Sequence, residues 1–206
     1  MGVVVAAFDV DGTLTVRDCV VPFLVRMGGG YRRLGLRLAR RPIALLGAAV
    51  RRDRDAMKAV ATRAALTGLH LDRVEGDGRA FAGLIATSWL RPDTAARLDW
   101  HREQGHRVVL VSASYEVYVA PLATALGADA VATRLAVGAD GVLTGGLDGP
   151  NCRAAEKVVR LRAWQAATGA EAAELWAYGD SAGDDELLAA ADHPIRVGDT
   201  RIARAP

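Results

Sequence analysis

A chain of 206 residues, 51% hydrophobic and 24% charged, suits one ordinary globular domain or a core carrying one insertion. Its 22 Gly and 7 Pro exclude a fibrous chain, and its apolar content excludes a disordered one. Two cysteines, Cys19 and Cys152, with no CxxC pattern or Cys/His cluster, exclude a zinc ribbon. With no basic leader at the start, they lead us to expect a reducing, cytoplasmic setting. No run of about 18 uncharged apolar residues marks a membrane span. The net charge of +2 is unevenly spread: residues 14–90 hold 14 Arg/Lys against 6 Asp/Glu, and the remainder is acidic. Of the 26 cations only Lys58 and Lys157 are lysines.

Residues 3–8 form a short continuous apolar run, the pattern of a strand buried on both faces of a parallel sheet. Asp9-Val10-Asp11-Gly12-Thr13 interrupts it. From residue 22 to about 87 the pattern is helical, broken at Gly28–30, Pro42 and Gly68, and Asp72 with Glu75 resembles a capping box. A helix over 93–104 stops at Gly105, a strand over 106–111 ends in Ser112, and a helix over 117–126 ends at Gly127. A strand at 130–135 leads into Asp140-Gly141, a hairpin signal. Asn151 is expected to cap a helix running to about 168. A strand at 175–178 ends at Gly179-Asp180, followed by a helix over 184–191 and a last strand at 195–197. Strands alternating with helices predict an α/β fold: a Rossmann-like parallel-sheet core with helices on both faces. The expected domains are 1–14 with 88–206 as core and 15–87 as a helical insertion.

In such sheets ligands bind beyond the carboxyl ends of the strands. Asp9, Ser112 and Asp180 close three of them, and a helix begins near Lys157, so these residues converge on one edge. Asp9 and Asp11 are two apart and point the same way on extended backbone. With Asp180 they would repel unless a cation lay between them, and Mg²⁺ commonly takes one or two carboxylates plus substrate phosphate. Lys157 stands near a helix N-terminus, where the dipole disfavours cations, in a chain that otherwise prefers Arg.

Asp9-Val10-Asp11-Gly12-Thr13-Leu14-Thr15, Ser112, Lys157 and Gly179-Asp180-Ser181-Ala182-Gly183-Asp184-Asp185 together resemble the four motifs of the haloacid dehalogenase superfamily, in order and spacing. Within it the chain looks most like the phosphoserine-phosphatase-like branch, and the helical insertion looks like that branch's type-1 cap. The resemblance implies a Mg²⁺-dependent phosphomonoester hydrolase. Asp9 would be the nucleophile that forms an aspartyl-phosphate, and Asp11 the general acid/base whose backbone carbonyl also ligates the metal. Ser112 and Lys157 would hold phosphate oxygens, Asp9 and Asp180 would be carboxylate ligands, and Asp184 would support them from outside. Asp18 and Arg63 fall where the family's phosphoserine-contacting Glu and Arg are found. Gly183 replaces the family's Asn, and Ser112-Ala113-Ser114 its Ser-Gly-Gly.

The chemistry is expected to be phosphoserine-phosphatase-like, but the basic insertion and the short Asp18 lead us to expect a larger or more anionic ester than phosphoserine as the best substrate. A lipid, sugar or histidinol phosphate, or transfer to an acceptor alcohol, is the alternative. Gly179–Gly183 also matches the serine-hydrolase G-x-S-x-G pattern, but the only later histidine, His193, leaves no room for that topology. Residues 26–54 hold nine Arg and one Asp, a charge suited to contact with an anionic membrane surface. Only Tyr31 interleaves them, so no nucleic acid partner is expected. The cysteines, His70, His101 and His106 read as packing or solvated residues. The oligomeric state is not legible in the sequence.

Overall fold

The computed structural model describes residues 3–40, 46, 47, 50, 53–171, 173–198 and 200–206. The expected break at Pro42 and most of the apolar stretch 43–50 lie outside these residues. Strand β1 (Val4–Phe8) is the centre of a six-stranded sheet ordered β4-β3-β2-β1-β5-β6. Its partners are β2 (Arg107–Tyr115) on one side and β5 (Glu174–Gly179) on the other, both parallel, with β3 (Asp129–Val137) and β6 (His193–Arg196) extending the sheet in parallel. Only β4 (Leu143–Asp148) is antiparallel, closing the expected hairpin on β3. Strand order reverses at β1, so the crevice at its carboxyl end is the natural ligand site of this topology.

The alternation of β1 explains its burial. Ala6 and Phe8 join a core on one face that includes Phe23, Phe81, Tyr118 and Tyr178, whereas Val5 and Ala7 face Val109, Leu161 and Leu175 on the other. A strand covered on both faces needs no polar side, which is why residues 3–8 read as one apolar run.

Between β1 and the rest of the sheet lie α1 (Val20–Met27), α2 (Tyr31–Ala39), α3 (Arg54–Leu66) and α4 (Leu71–Ser88). The chain enters and leaves this stretch through two short paired segments: Val16 N–H donates to Trp89 O at 2.8 Å and Arg91 N–H to Leu14 O at 2.9 Å. Helix α5 (Pro92–Glu103) precedes β2, α6 (Glu116–Ala125) follows it, α7 (Ala155–Thr168) joins β4 to β5, and α8 (Asp185–Ala189) precedes β6.

Three local expectations are corrected. Helix α4 starts one residue before Asp72, with His70 at its N-cap and no side-chain cap bond. The hairpin tip fixes that start, since Leu71 N–H donates to Gly141 O at 2.9 Å and His70 bridges to Val142. Helix α7 starts at Ala155, and Asn151 does not cap it. Strand β2 runs past Ser112 to Tyr115, with a register shift against β3 between these two residues.

Candidate active site

Asp9 leaves β1 with its N–H bonded to Tyr178 O at 2.9 Å, and the chain then makes one wide turn over Val10–Leu14. Its side chain is only 8% exposed. Lys157, in the first turn of α7, places Nζ 2.5 Å from Asp9 Oδ1 and 2.5 Å from Asp184 Oδ1. Asp184 Oδ2 in turn accepts from Ser181 N–H and Ser181 Oγ, each at 3.0 Å. Asp180 Oδ1 accepts from Thr13 Oγ1 at 2.9 Å. Ligand atoms of Asp9, Asp180 and Asp184 all lie within 4.8 Å of one another.

Burial pushes the Asp9 carboxyl up to about 7, against the pull of Lys157. For Lys157 burial works downward, yet its two carboxylates outweigh it and hold the ammonium above its ordinary range. Desolvation also opposes ionisation of Asp184, and Lys157 overcomes it to keep that carboxyl below the usual value. Lys157 and Asp184 therefore form a fixed charge pair, and Asp9 shares the lysine.

Asp11 is held from two sides. Cys19 N–H donates to its Oδ1 at 2.6 Å, and Ser114 Oγ donates to its Oδ2 at 2.5 Å while accepting from Tyr118 OH at 2.6 Å. Burial raises the Asp11 carboxyl above its ordinary value, and the Ser114 bond opposes the rise. A carboxyl moved upward in this way is better suited to hand over a proton near neutral pH.

Asp9, Asp11, Lys157, Asp180, Asp184 and Asp18 all line one cavity of about 610 Å³. Ser112 does not line it: it is fully buried in β2, its Oγ accepting from Ser114 N–H at 3.0 Å, and Ala113 faces the cavity instead. Asp18 has one oxygen engaged by Val21 N–H at 2.9 Å. Arg63 is not brought to the site. It lies exposed on α3, its backbone close to Gly145 in β4. The cavity-facing cations of α3 are Arg54 and Lys58, four residues apart and so on one helix face.

Lys58 was not expected here. Its ammonium donates to Ala113 O and, at 2.6 Å, to Asn151 Oδ1, and lies 4.7 Å from the Tyr115 ring centre. Asn151 Nδ2 continues to Asp55 Oδ1 at 2.7 Å. One lysine thus ties α3 to β2 and to the loop before α7. Burial pushes it down to about 8, and Asp11 and Asp55 oppose the fall.

The donor set fits a small hard cation. Oδ2 of Asp9 and Oδ2 of Asp180 accept no hydrogen bond from the described residues, whereas both oxygens of Asp184 are engaged. Gly12 keeps the space open. Its φ is +86°, and a Cβ there would lie 2.5 Å from Asp180 Oδ2. A carboxylate pair with free oxygens is the ligand type Mg²⁺ uses.

The haloacid dehalogenase-like hydrolase model matches residues 6–189, and the chain belongs to that family. Protein CicA of Caulobacter vibrioides is 45% identical over 187 residues, which cover 90% of this chain and 82% of the relative. Among solved structures, a protein of unknown function from Bordetella pertussis Tohama I has a TM-score of 0.76 at 26% identity, over 95% of this chain and 90% of that one. A substrate-bound phosphoserine phosphatase complex has a TM-score of 0.62 at 20% identity, over 93% of this chain and 84% of that one, a likeness of fold.

Proposed function

We propose that the chain is a Mg²⁺-dependent phosphomonoester hydrolase that works through an aspartyl-phosphate on Asp9. The observation that carries the reading is the buried Asp9, bonded to Lys157, with a differently held carboxyl, Asp11, two residues on. The two side chains have separate environments and can take separate roles.

In the first step an Asp9 oxygen attacks phosphorus, the bond to the leaving oxygen breaks, and Asp11 gives that oxygen its proton. In the second, Asp11 takes a proton from water as the water oxygen attacks phosphorus, releasing inorganic phosphate and free Asp9. Lys157 keeps positive charge beside Asp9 as the phosphate dianion approaches, offsetting their repulsion. Mg²⁺, held by Asp9, Asp180 and the Asp11 carbonyl, would supply further charge neutralisation on the phosphoryl oxygens. Residues 15–87 act as a cap over the cavity, with Val20, Val21, Leu24 and Met57 forming its apolar wall.

The purified chain should release phosphate from an aryl phosphate with Mg²⁺ and stop in excess chelator. Asp9→Asn should lower turnover about a thousandfold or more and leave no phosphoenzyme. Near-normal turnover of Asp9→Asn would overturn the assignment. Product analysis with an added alcohol separates hydrolysis from transfer.

A second role is supported by α2, which presents Arg32 and Arg33 to solvent beside Tyr31 and Leu36, 74% and 67% exposed. Cationic and apolar side chains together suit an anionic membrane surface.

A further inference from the structure

Among the described residues four cations line the cavity, and their engagement differs. Lys157 is shared by Asp9 and Asp184, and Lys58 by Ala113 O and Asn151 Oδ1. Arg153, in the loop before α7, lines the same cavity beside Ser181 and Gly183. Its guanidinium has no hydrogen bond or ion pair with any described residue; its bonds are made by the main chain, the N–H donating to Asn151 O at 2.7 Å and the carbonyl accepting from Glu156 N–H at 3.1 Å. Arg54 on α3 lines the cavity as well, and its side chain too has no partner among the described residues.

Two backbone features put Arg153 in place. At Gly183 an added Cβ would lie 3.1 Å from Arg153 Nε and 3.3 Å from its Cγ, so the arginine occupies space that a side chain at 183 would need. The next residue, Ala154, has φ 54° and ψ −131°, the one positive φ outside glycine among the described residues. Such a conformation is unfavourable for a residue with a Cβ and persists only where its surroundings hold it. Here Ala154 N–H donates to Gly183 O at 2.9 Å, tying the Arg153 loop to the Asp180 loop.

A planar guanidinium with open donors is matched to a carboxylate or phosphate, which it can grip through two parallel bonds. The transferring phosphoryl group already has Lys157, and a cavity of about 610 Å³ leaves room beyond it. We infer that Arg153, with Arg54 from α3, binds a second anionic group on the leaving side of the substrate. The substrate class is then a phosphomonoester whose alcohol carries a carboxylate or another phosphate. This inference rests on the phosphatase reading above.

The test compares kcat/KM within two matched pairs: phosphoglycolate against ethyl phosphate, and glycerol bisphosphate against glycerol phosphate. The wild type should favour the anionic member of at least one pair by about tenfold or more, and the pair that responds identifies the group. In Arg153→Ala that ratio should fall to roughly one, and Arg153→Lys should keep part of it, because an ammonium supplies charge without the fork. Gly183→Ala, which crowds Arg153 from the other loop, should lower the ratio independently. Equal kcat/KM within both pairs for the wild type overturns the inference. So does an Arg153→Ala variant that loses the same factor on charged and neutral members, which would place the guanidinium on the transferring phosphoryl. A wild type inert toward all four esters, and toward the aryl phosphate, would overturn the phosphatase reading itself.

Discussion

Ser114 couples a packed hydroxyl pair to Asp11. Its Oγ donates to Asp11 Oδ2 and accepts from Tyr118 OH, so it stabilises the charged carboxylate and fixes its direction. In Ser114→Ala the charged form loses that donor and the Asp11 carboxyl should rise further. The limb of the pH–rate profile that reports Asp11 should then move to higher pH, by about one unit for a lost charge-assisted bond. Tyr118→Phe, one bond removed, should move it less. The profile is measured with an aryl phosphate between pH 4 and 9, and an unmoved limb in Ser114→Ala would show that another group titrates there. That Asp9 and Asp11 line one cavity was legible because a strand followed by Asp-x-Asp fixes their relative direction through the chain itself. The Ser114 contact was not, since it joins β2 to the turn after β1 and depends on their register.

For the elements, legibility followed the range of the interactions. β1, β5 and the β3–β4 hairpin were readable from apolar runs and an Asp-Gly turn, signals carried within a few residues. The start of α7 was not. Asn151 looks like a cap, but its amide is spent on Lys58 and Asp55, and Ala154 keeps the backbone out of helix until Ala155. Arg63 failed for a related reason. The helix containing it was expected, but the face turned to the cavity is set by packing against β2 and β4, and five residues from Lys58 is about 140° around the axis. Helix α2 carries a prediction of its own. The chain should sediment with vesicles containing phosphatidylserine and not with neutral ones, and Arg32→Glu with Arg33→Glu should weaken this by more than about tenfold, each charge near an anionic surface contributing roughly 1 kcal/mol. Equal behaviour on both vesicle types at low salt would remove the membrane role. No described helix is long and apolar enough to cross a membrane.

At the scale of the whole molecule, acid is the expected weakness. His101 is 0% exposed, with Nε2 2.8 Å from Tyr178 OH and Nδ1 2.8 Å from His106 Nδ1. Burial pushes it down to about 3, helped by the charges of His106 and Arg97. A base with a depressed folded pKa binds a proton more readily when unfolded. Stability is therefore retained above pH 6.5 and lost as pH falls toward 3, by up to about 1.4 kcal/mol per pH unit. Denaturant midpoints at pH 7.5 and 5 measure the loss, and His101→Gln should flatten the dependence. A midpoint unchanged between these two pH values would contradict the buried neutral imidazole.

The two short segments joined at Thr15 and Leu90 have a consequence for how such a chain can diversify. The helical stretch departs from the sheet and returns to it at neighbouring points, so its ends stay together whatever lies between them. Doubling the length of such an excursion costs only about 0.6 kcal/mol of closure entropy. Descendants of this scaffold can therefore trade one set of helices for another while Asp9, Asp11 and Lys157 keep their places around an unaltered sheet.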